Sequence, residues 1–147
     1  MFAPLDAVYS VRIRNKQWPQ GLKLVSELIL TQNQALDIWR RTTLEGVRRN
    51  TPDLTARQTA VLLSIYMTQP PHTVRDLAVT LNISKPAITR ALDKLSDLEL
   101  VRRKKDEEDR RSILVQRTVK GSVFLTEFAE LIIQSTQISL DHEKPGQ

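Results

Sequence analysis

Cysteine is absent from this chain, which removes disulfides, thiolate redox switches and cysteine metal sites from consideration. His72 and His142 are the two imidazoles, and no His, Asp or Glu cluster has metal-ligand spacing, so neither a metal nor another cofactor is expected. Glycine is also scarce, four in 147 residues, with none of the clustering that cradles phosphates in nucleotide-binding loops. There is no nucleophile elbow and no carboxylate pair in an apolar setting, so no catalytic residue is expected and the chain reads as a non-enzyme. The acidic run Asp106 to Asp109 lacks the turn glycine and alternating oxygen ligands of a calcium loop. No apolar run reaches the roughly eighteen residues of a membrane span. The opening Met1-Phe2-Ala3-Pro4-Leu5-Asp6 lacks the basic-then-apolar build of a secretion signal. A soluble cytoplasmic protein with no membrane partner is expected.

Aromatic residues are only 5% of the chain, and none lies between Thr73 and Lys120. Single-strand and RNA binding both rely on aromatic stacking platforms, so that gap counts against them. Basic charge is what the chain has in surplus: a net +5 and a pI near 9.8 favour a polyanionic partner.

The aromatic-free stretch has a definite order. Thr73 can cap a helix carrying Val74, Leu77, Ala78 and Leu81 at helical spacing, which Asn82 ends. Ile83 fills a three-residue corner, Ser84 offers a second capping oxygen, and Pro86 falls in a first turn where its missing N–H costs little. In the next helix Ile88, Ala91, Leu92 and Leu95 form one apolar stripe, leaving Pro86, Thr89, Arg90, Asp93 and Lys94 towards solvent. Two strands follow, Leu100 to Lys105 and Ser112 to Val119, around the charged tip Asp106-Glu107-Glu108-Asp109-Arg110-Arg111. This is the outline of a winged helix-turn-helix, and it directs attention to duplex DNA. A major groove admits a helix, and an arginine fork pairs with the O6 and N7 of guanine. Arg90 is the first candidate base reader; Thr89 suits a thymine methyl or a phosphate; Ser84, Lys85 and Lys94 suit phosphates. At the wing tip, Arg110 and Arg111 are candidates for the narrow minor groove. The competing reading of the helix face is an ordinary solvated surface, with Arg90 paired to Asp93 and Lys94 to Asp97.

From Leu54 to Gly121 the residues also resemble the MarR family of winged helix-turn-helix transcriptional regulators. The resemblance rests on Leu54-Thr55-Ala56-Arg57-Gln58, where Thr55 and Gln58 have capping-box spacing, and on Thr73-Val74-Arg75-Asp76-Leu77-Ala78. It continues through the recognition-helix run Ile83 to Leu95, the strand Val101-Arg102-Arg103 and the tip Asp109-Arg110-Arg111. Three positions depart from the family pattern. Glu99 stands where a glycine usually ends the recognition helix. Arg117 replaces a leucine and should either add a basic group at the wing base or point outward. Pro86 replaces a small hydroxyl residue.

The expected fold is mainly α with a small β-hairpin wing, with terminal dimerisation helices. Within one domain, residues 1–50 form an N-terminal arm and dimerisation helix, 51–119 the DNA-binding region, and 120–147 a C-terminal dimerisation helix and tail. Leu22 to about Asn50 reads as one long helix, and Lys120 to about Leu140 carries more apolar surface than one packing face needs. A homodimer would bury the surplus, the alternative being a monomer with both helices folded over its own core. The resemblance implies that the terminal helices interlock across a twofold axis, so that two recognition helices face half-sites of a roughly palindromic operator. The resemblance further implies a small anionic or phenolic effector, for which Trp18, Trp39, Tyr66 and His72 are the candidate contacts, and repression as the outcome. The alternative is a winged helix used as a protein-interaction module. For DNA, Arg90, Lys94, Arg102, Arg103, Arg110 and Arg111 should share one surface; for a protein partner, an apolar patch should stand there.

Overall fold

The computed structural model of the chain describes residues 8–10, 29–49, 51–107 and 112–141. They fall into two units, one of residues 1–48 with 131–147 and one of residues 49–130.

The first unit contains a two-stranded antiparallel ribbon, β1 (Val8–Ser10) and β2 (Ile29–Thr31), in which Val8 faces Thr31 and Ser10 faces Ile29. Helix α1 (Gln32–Arg48) follows directly. Its start is fixed by a reciprocal cap: Thr31 N–H donates to Gln34 Oε1 at 2.8 Å, and Gln34 N–H donates to Thr31 Oγ1 at 3.2 Å. The expected single helix from Leu22 is therefore corrected. Residues 29–31 are extended, the helix begins only at Gln32, and residues 22–28 lie outside the described residues. The Thr-x-x-Gln box satisfies free donors of a helix start at that point, so α1 does not extend back through Thr31. Among the helical residues of this unit Thr42, Leu131, Ser135 and Ser139 are buried, the last three at four-residue spacing on one row.

In the second unit α2 (Ala56–Met67) starts at the predicted capping box, with Thr55 N–H to Gln58 Oε1 at 2.9 Å and Gln58 N–H to Thr55 Oγ1 at 3.3 Å. Strand β3 (His72–Thr73) leads into α3 (Val74–Thr80), whose cap is Thr73: its Oγ1 accepts Asp76 N–H at 3.1 Å and donates to Asp76 Oδ2 at 2.7 Å. Then come α4 (Lys85–Asp97), β4 (Val101–Lys105), β5 (Ile113–Arg117) and the 23-residue α5 (Val119–Asp141), whose residues from Leu131 on belong to the first unit. The sheet is antiparallel in the order β3-β5-β4, with His72 opposite Val115, and Val115 opposite Arg103.

The core of this unit joins Val61, Leu62 and Ile65 of α2, Leu77 and Ala78 of α3, the predicted stripe Ile88, Ala91, Leu92 and Leu95 of α4, and Leu100, Val101 and Val115. Ile83 packs against it from the corner, as expected. Burying each large side chain is worth roughly 1.5–3 kcal/mol, and this fixes which face of α4 turns inward.

Both ends of the corner region use left-handed residues that are not glycine, Asn82 (φ 51°) and Glu99 (φ 60°). After α3, Ile83 N–H donates to Ala78 O at 3.0 Å and Asn82 N–H to Val79 O at 3.2 Å; after α4, Leu100 N–H donates to Leu95 O and Glu99 N–H to Ser96 O, both at 2.9 Å. Each is a Schellman closure, so the last carbonyls of both helices are satisfied and the chain reverses at fixed angles. The molecule is a mainly helical winged helix-turn-helix.

Candidate nucleic-acid interface

Helix α4 exposes Lys85, Pro86, Thr89, Arg90, Asp93 and Lys94, with Ser84 exposed just before them. The ion pairs of the competing reading do not form. Neither Arg90 nor Lys94 pairs with any described residue, while Asp93 Oδ1 is taken by Arg103 Nη2 of β4 at 2.7 Å. The same Arg103 nitrogen donates to Thr89 O at 3.2 Å. Thus the acid in the middle of the outward face is neutralised from the wing, and the cations beside it have no ion-pair partner among the described residues. Arg103 is a strut between β4 and α4, and its own Nε is buried with no hydrogen-bond partner.

Ser84 occupies the cap position of α4, yet its side chain makes no capping bond, a correction to the expected second cap. Its carbonyl instead accepts Ala87 and Ile88 N–H, both at 3.0 Å. Pro86 lies in the first turn as expected. The Thr89 hydroxyl donates back to Lys85 O at 3.0 Å, so its methyl and its lone pairs are what it presents outward.

The wing separates the remaining basic residues by strand alternation. Val101, Arg103 and Lys105 share one face of β4; Arg102 and Lys104 share the other. Arg102 Nη2 donates to its cross-strand neighbour Gln116 at 2.8 Å, and Lys104 pairs with Glu107 at 2.7 Å. That hydrogen bond and the ammonium charge hold the Glu107 carboxyl below its ordinary value. So Arg102 does not share the face of Arg103, and the predicted convergence is met only in part. Arg110 and Arg111 lie outside the described residues.

Arg117 follows neither course expected of it. It reaches the end of α2, where Nε donates to Ile65 O at 2.9 Å and Nη2 to Thr68 O at 2.7 Å, with its guanidinium 5.8 Å from the Tyr66 ring centroid. Helix α2 has no basic residue in its own last turn, and Arg117 supplies that charge from a strand. Glu99, in its left-handed conformation, is gripped twice: its carbonyl accepts Thr118 Oγ1–H at 2.8 Å, and its carboxylate meets Lys120 Nζ at 2.7 Å. The bond to Lys120 holds the Glu99 carboxyl below its ordinary value.

Of the effector candidates, Trp39 is exposed on α1, Tyr66 and His72 belong to the second unit, and Trp18 lies outside the described residues. Among the described residues no group of three His, Cys, Asp or Glu could hold a metal ion, and no helix is long and apolar enough to cross a membrane.

Comparison with known proteins fits this geometry. Residues 54–113 match the MarR family model. Among solved structures, a cysteine-to-serine mutant of MarR from E. coli is 28% identical, with TM-score 0.58 over 78% of this chain and 79% of that one. The transcriptional repressor CouR, bound to a 23-mer DNA duplex, is 26% identical, with TM-score 0.57 over 74% of each chain. A mutant of MepR from S. aureus bound to an oligodeoxyribonucleotide is 22% identical, with TM-score 0.63 over 76% of this chain and 78% of that one. It is residues 54–113, the capped helix-turn-helix and most of the hairpin wing, that are similar to the MarR family of transcriptional regulators.

Proposed function

We propose that the chain reads duplex DNA sequence-specifically as a homodimer, on a roughly palindromic operator, and represses transcription by excluding polymerase. The observation that carries the reading is the outward face of α4: Arg90 and Lys94 are free of ion pairs among the described residues, and Asp93 between them is neutralised by Arg103. Arg90 reads a guanine, Thr89 offers its methyl to a thymine, and Pro86 makes van der Waals contact at the helix entry. The unengaged Ser84 hydroxyl, with Lys85 and Lys94, grips phosphates and sets register. Arg110 and Arg111 enter the minor groove from the wing tip. CouR, itself a repressor on a DNA duplex, supports both the substrate and the sign of regulation.

Residues 51–119 form the DNA-binding region in this reading, and the segments 1–50 and 120–147 form the dimer. Apolar side chains exposed in the single chain, Leu36, Trp39 and Val47 of α1 with Ile132, Ile133 and Ile138 of α5, are what a second copy covers. An anionic or phenolic effector belongs to the same reading. Of Trp39, Tyr66 and His72, only His72 has a buried side-chain nitrogen, Nε2, without a hydrogen-bond partner.

The test is selection of duplex fragments by the purified chain, then footprinting and a salt titration of the best fragment. A protected inverted repeat with steep salt dependence is expected. Weak, sequence-blind retention overturns specific recognition and favours the protein-interaction module.

A further inference from the structure

The end of α2, the end of α4, the base of the wing and the first turn of α5 meet at one joint. At its centre the Tyr66 hydroxyl donates to Leu100 O at 2.8 Å and accepts Thr118 N–H at 2.8 Å. One residue along the chain from Thr118, the Arg117 fork binds two carbonyls at the end of α2 and lies over the Tyr66 ring. Thr118 Oγ1 in turn holds the Glu99 carbonyl and accepts Gly121 N–H at 3.0 Å. Gly121 makes the approach possible, since a Cβ there would run into Tyr66 Oη and the Leu100 carbonyl oxygen.

We propose that Tyr66 and Arg117 are positioning residues for DNA recognition: through Leu100, Thr118 and the end of α2 they set the angle between the wing and the outward face of α4. Neither contacts DNA in this arrangement. The inference rests on the DNA-reading function proposed above. Its physical basis is the difference between two kinds of contact. Attraction of Lys and Arg to phosphates tolerates a wing that rocks about its base, whereas a bidentate base contact requires fixed direction as well as distance. Arg117 suits the task because its planar fork addresses two carbonyls at once, a geometry that a lysine ammonium does not reproduce.

Tyr66→Phe removes the hydroxyl and keeps the ring; Arg117→Met removes the fork and keeps the aliphatic stem; Arg117→Lys keeps the charge. Each is titrated against the tightest duplex that the wild-type chain selects from random-sequence DNA and against a scrambled duplex of the same composition. The folded fraction is read by circular dichroism at the same temperature. Tyr66→Phe and Arg117→Met are expected to lose about tenfold in affinity for the selected duplex and less than about twofold for the scrambled one, with Arg117→Lys between them and wild type. A ratio of the two affinities within about twofold of wild type in either folded variant overturns the proposal. Equal loss on both duplexes also overturns it, because that is what a smaller folded fraction alone produces. Failure of the wild-type chain to select any duplex overturns the DNA reading itself, and shows before a variant is made.

Discussion

Glu99 combines a cost and two restraints in one residue. Its φ of 60° brings a Cβ close to the following carbonyl, a clash glycine does not have. The restraints are Thr118 on its carbonyl and Lys120 on its carboxylate. The second is an exposed ion pair and contributes little, so relief of the backbone clash should win over its loss. Glu99→Gly is expected to raise the thermal midpoint by a few degrees, measured by calorimetry; a lower midpoint would mean that the grip of Lys120 and the lower chain entropy of Glu outweigh the clash. Arg90 has no such local role: it is exposed and unpaired among the described residues. Arg90→Ala should leave stability unchanged and cost about 1–3 kcal/mol of discrimination between selected and random duplex. An unchanged specificity ratio in that binding assay removes Arg90 from base readout.

At the scale of elements, the two helix starts with a hydroxyl residue three positions before an amide or acid, Thr55 and Thr73, were legible in sequence because each cap is local. The same local signal stood at Thr31-Gln32-Asn33-Gln34, but the apolar pattern extending upstream concealed it. Long-range partners were not legible at all. Nothing in the spacing of Arg117 and Ile65, or of Arg103 and Asp93, indicates that the fold brings them together; the packing of α2 against β5 and of α4 against β4 does. In α1 the consequence is a pH dependence. Hydrogen bonds from Arg41 and then Arg40 lower the Asp37 carboxyl from 3.8 to about 2. A carboxyl whose pKa is lower in the folded state stabilises fully above its unfolded value and ceases to do so as pH falls through the folded one. Helix α1 is therefore expected to lose this small contribution between pH values near 4 and near 2, with no effect at neutrality. Asp37→Asn should remove that part of the acid titration of the helical circular-dichroism signal. An identical acid limb in the variant would show that the two arginine bonds contribute nothing to helicity.

For the whole molecule the outstanding fact is exposed apolar surface. Trp39 and Val47 are 64% and 73% exposed in the single chain, and with Leu36 they follow one face of α1 at helical spacing. In the proposed homodimer a second copy covers this face, so replacing both Trp39 and Val47 by glutamate should halve the mass found by sedimentation equilibrium, because two charges per chain would have to be buried without partners. A wild-type chain that sediments as a monomer overturns the dimer outright. Monomers should also bind DNA more weakly, since the two half-sites would then be engaged independently.

The distribution of aromatics has an optical consequence. Both tryptophans, Trp18 and Trp39, precede Leu54, and from Arg40 to Val123 the single aromatic residue is Tyr66. Tryptophan emission therefore carries no signal from a chromophore inside the helix-turn-helix or the wing. Because Trp39 is mostly exposed in the single chain, its emission maximum should move to shorter wavelength as chains associate. Deletion of the Trp18 indole by Trp18→Phe would make that band a one-site reporter, separating association from DNA contact in a single cuvette without an added label.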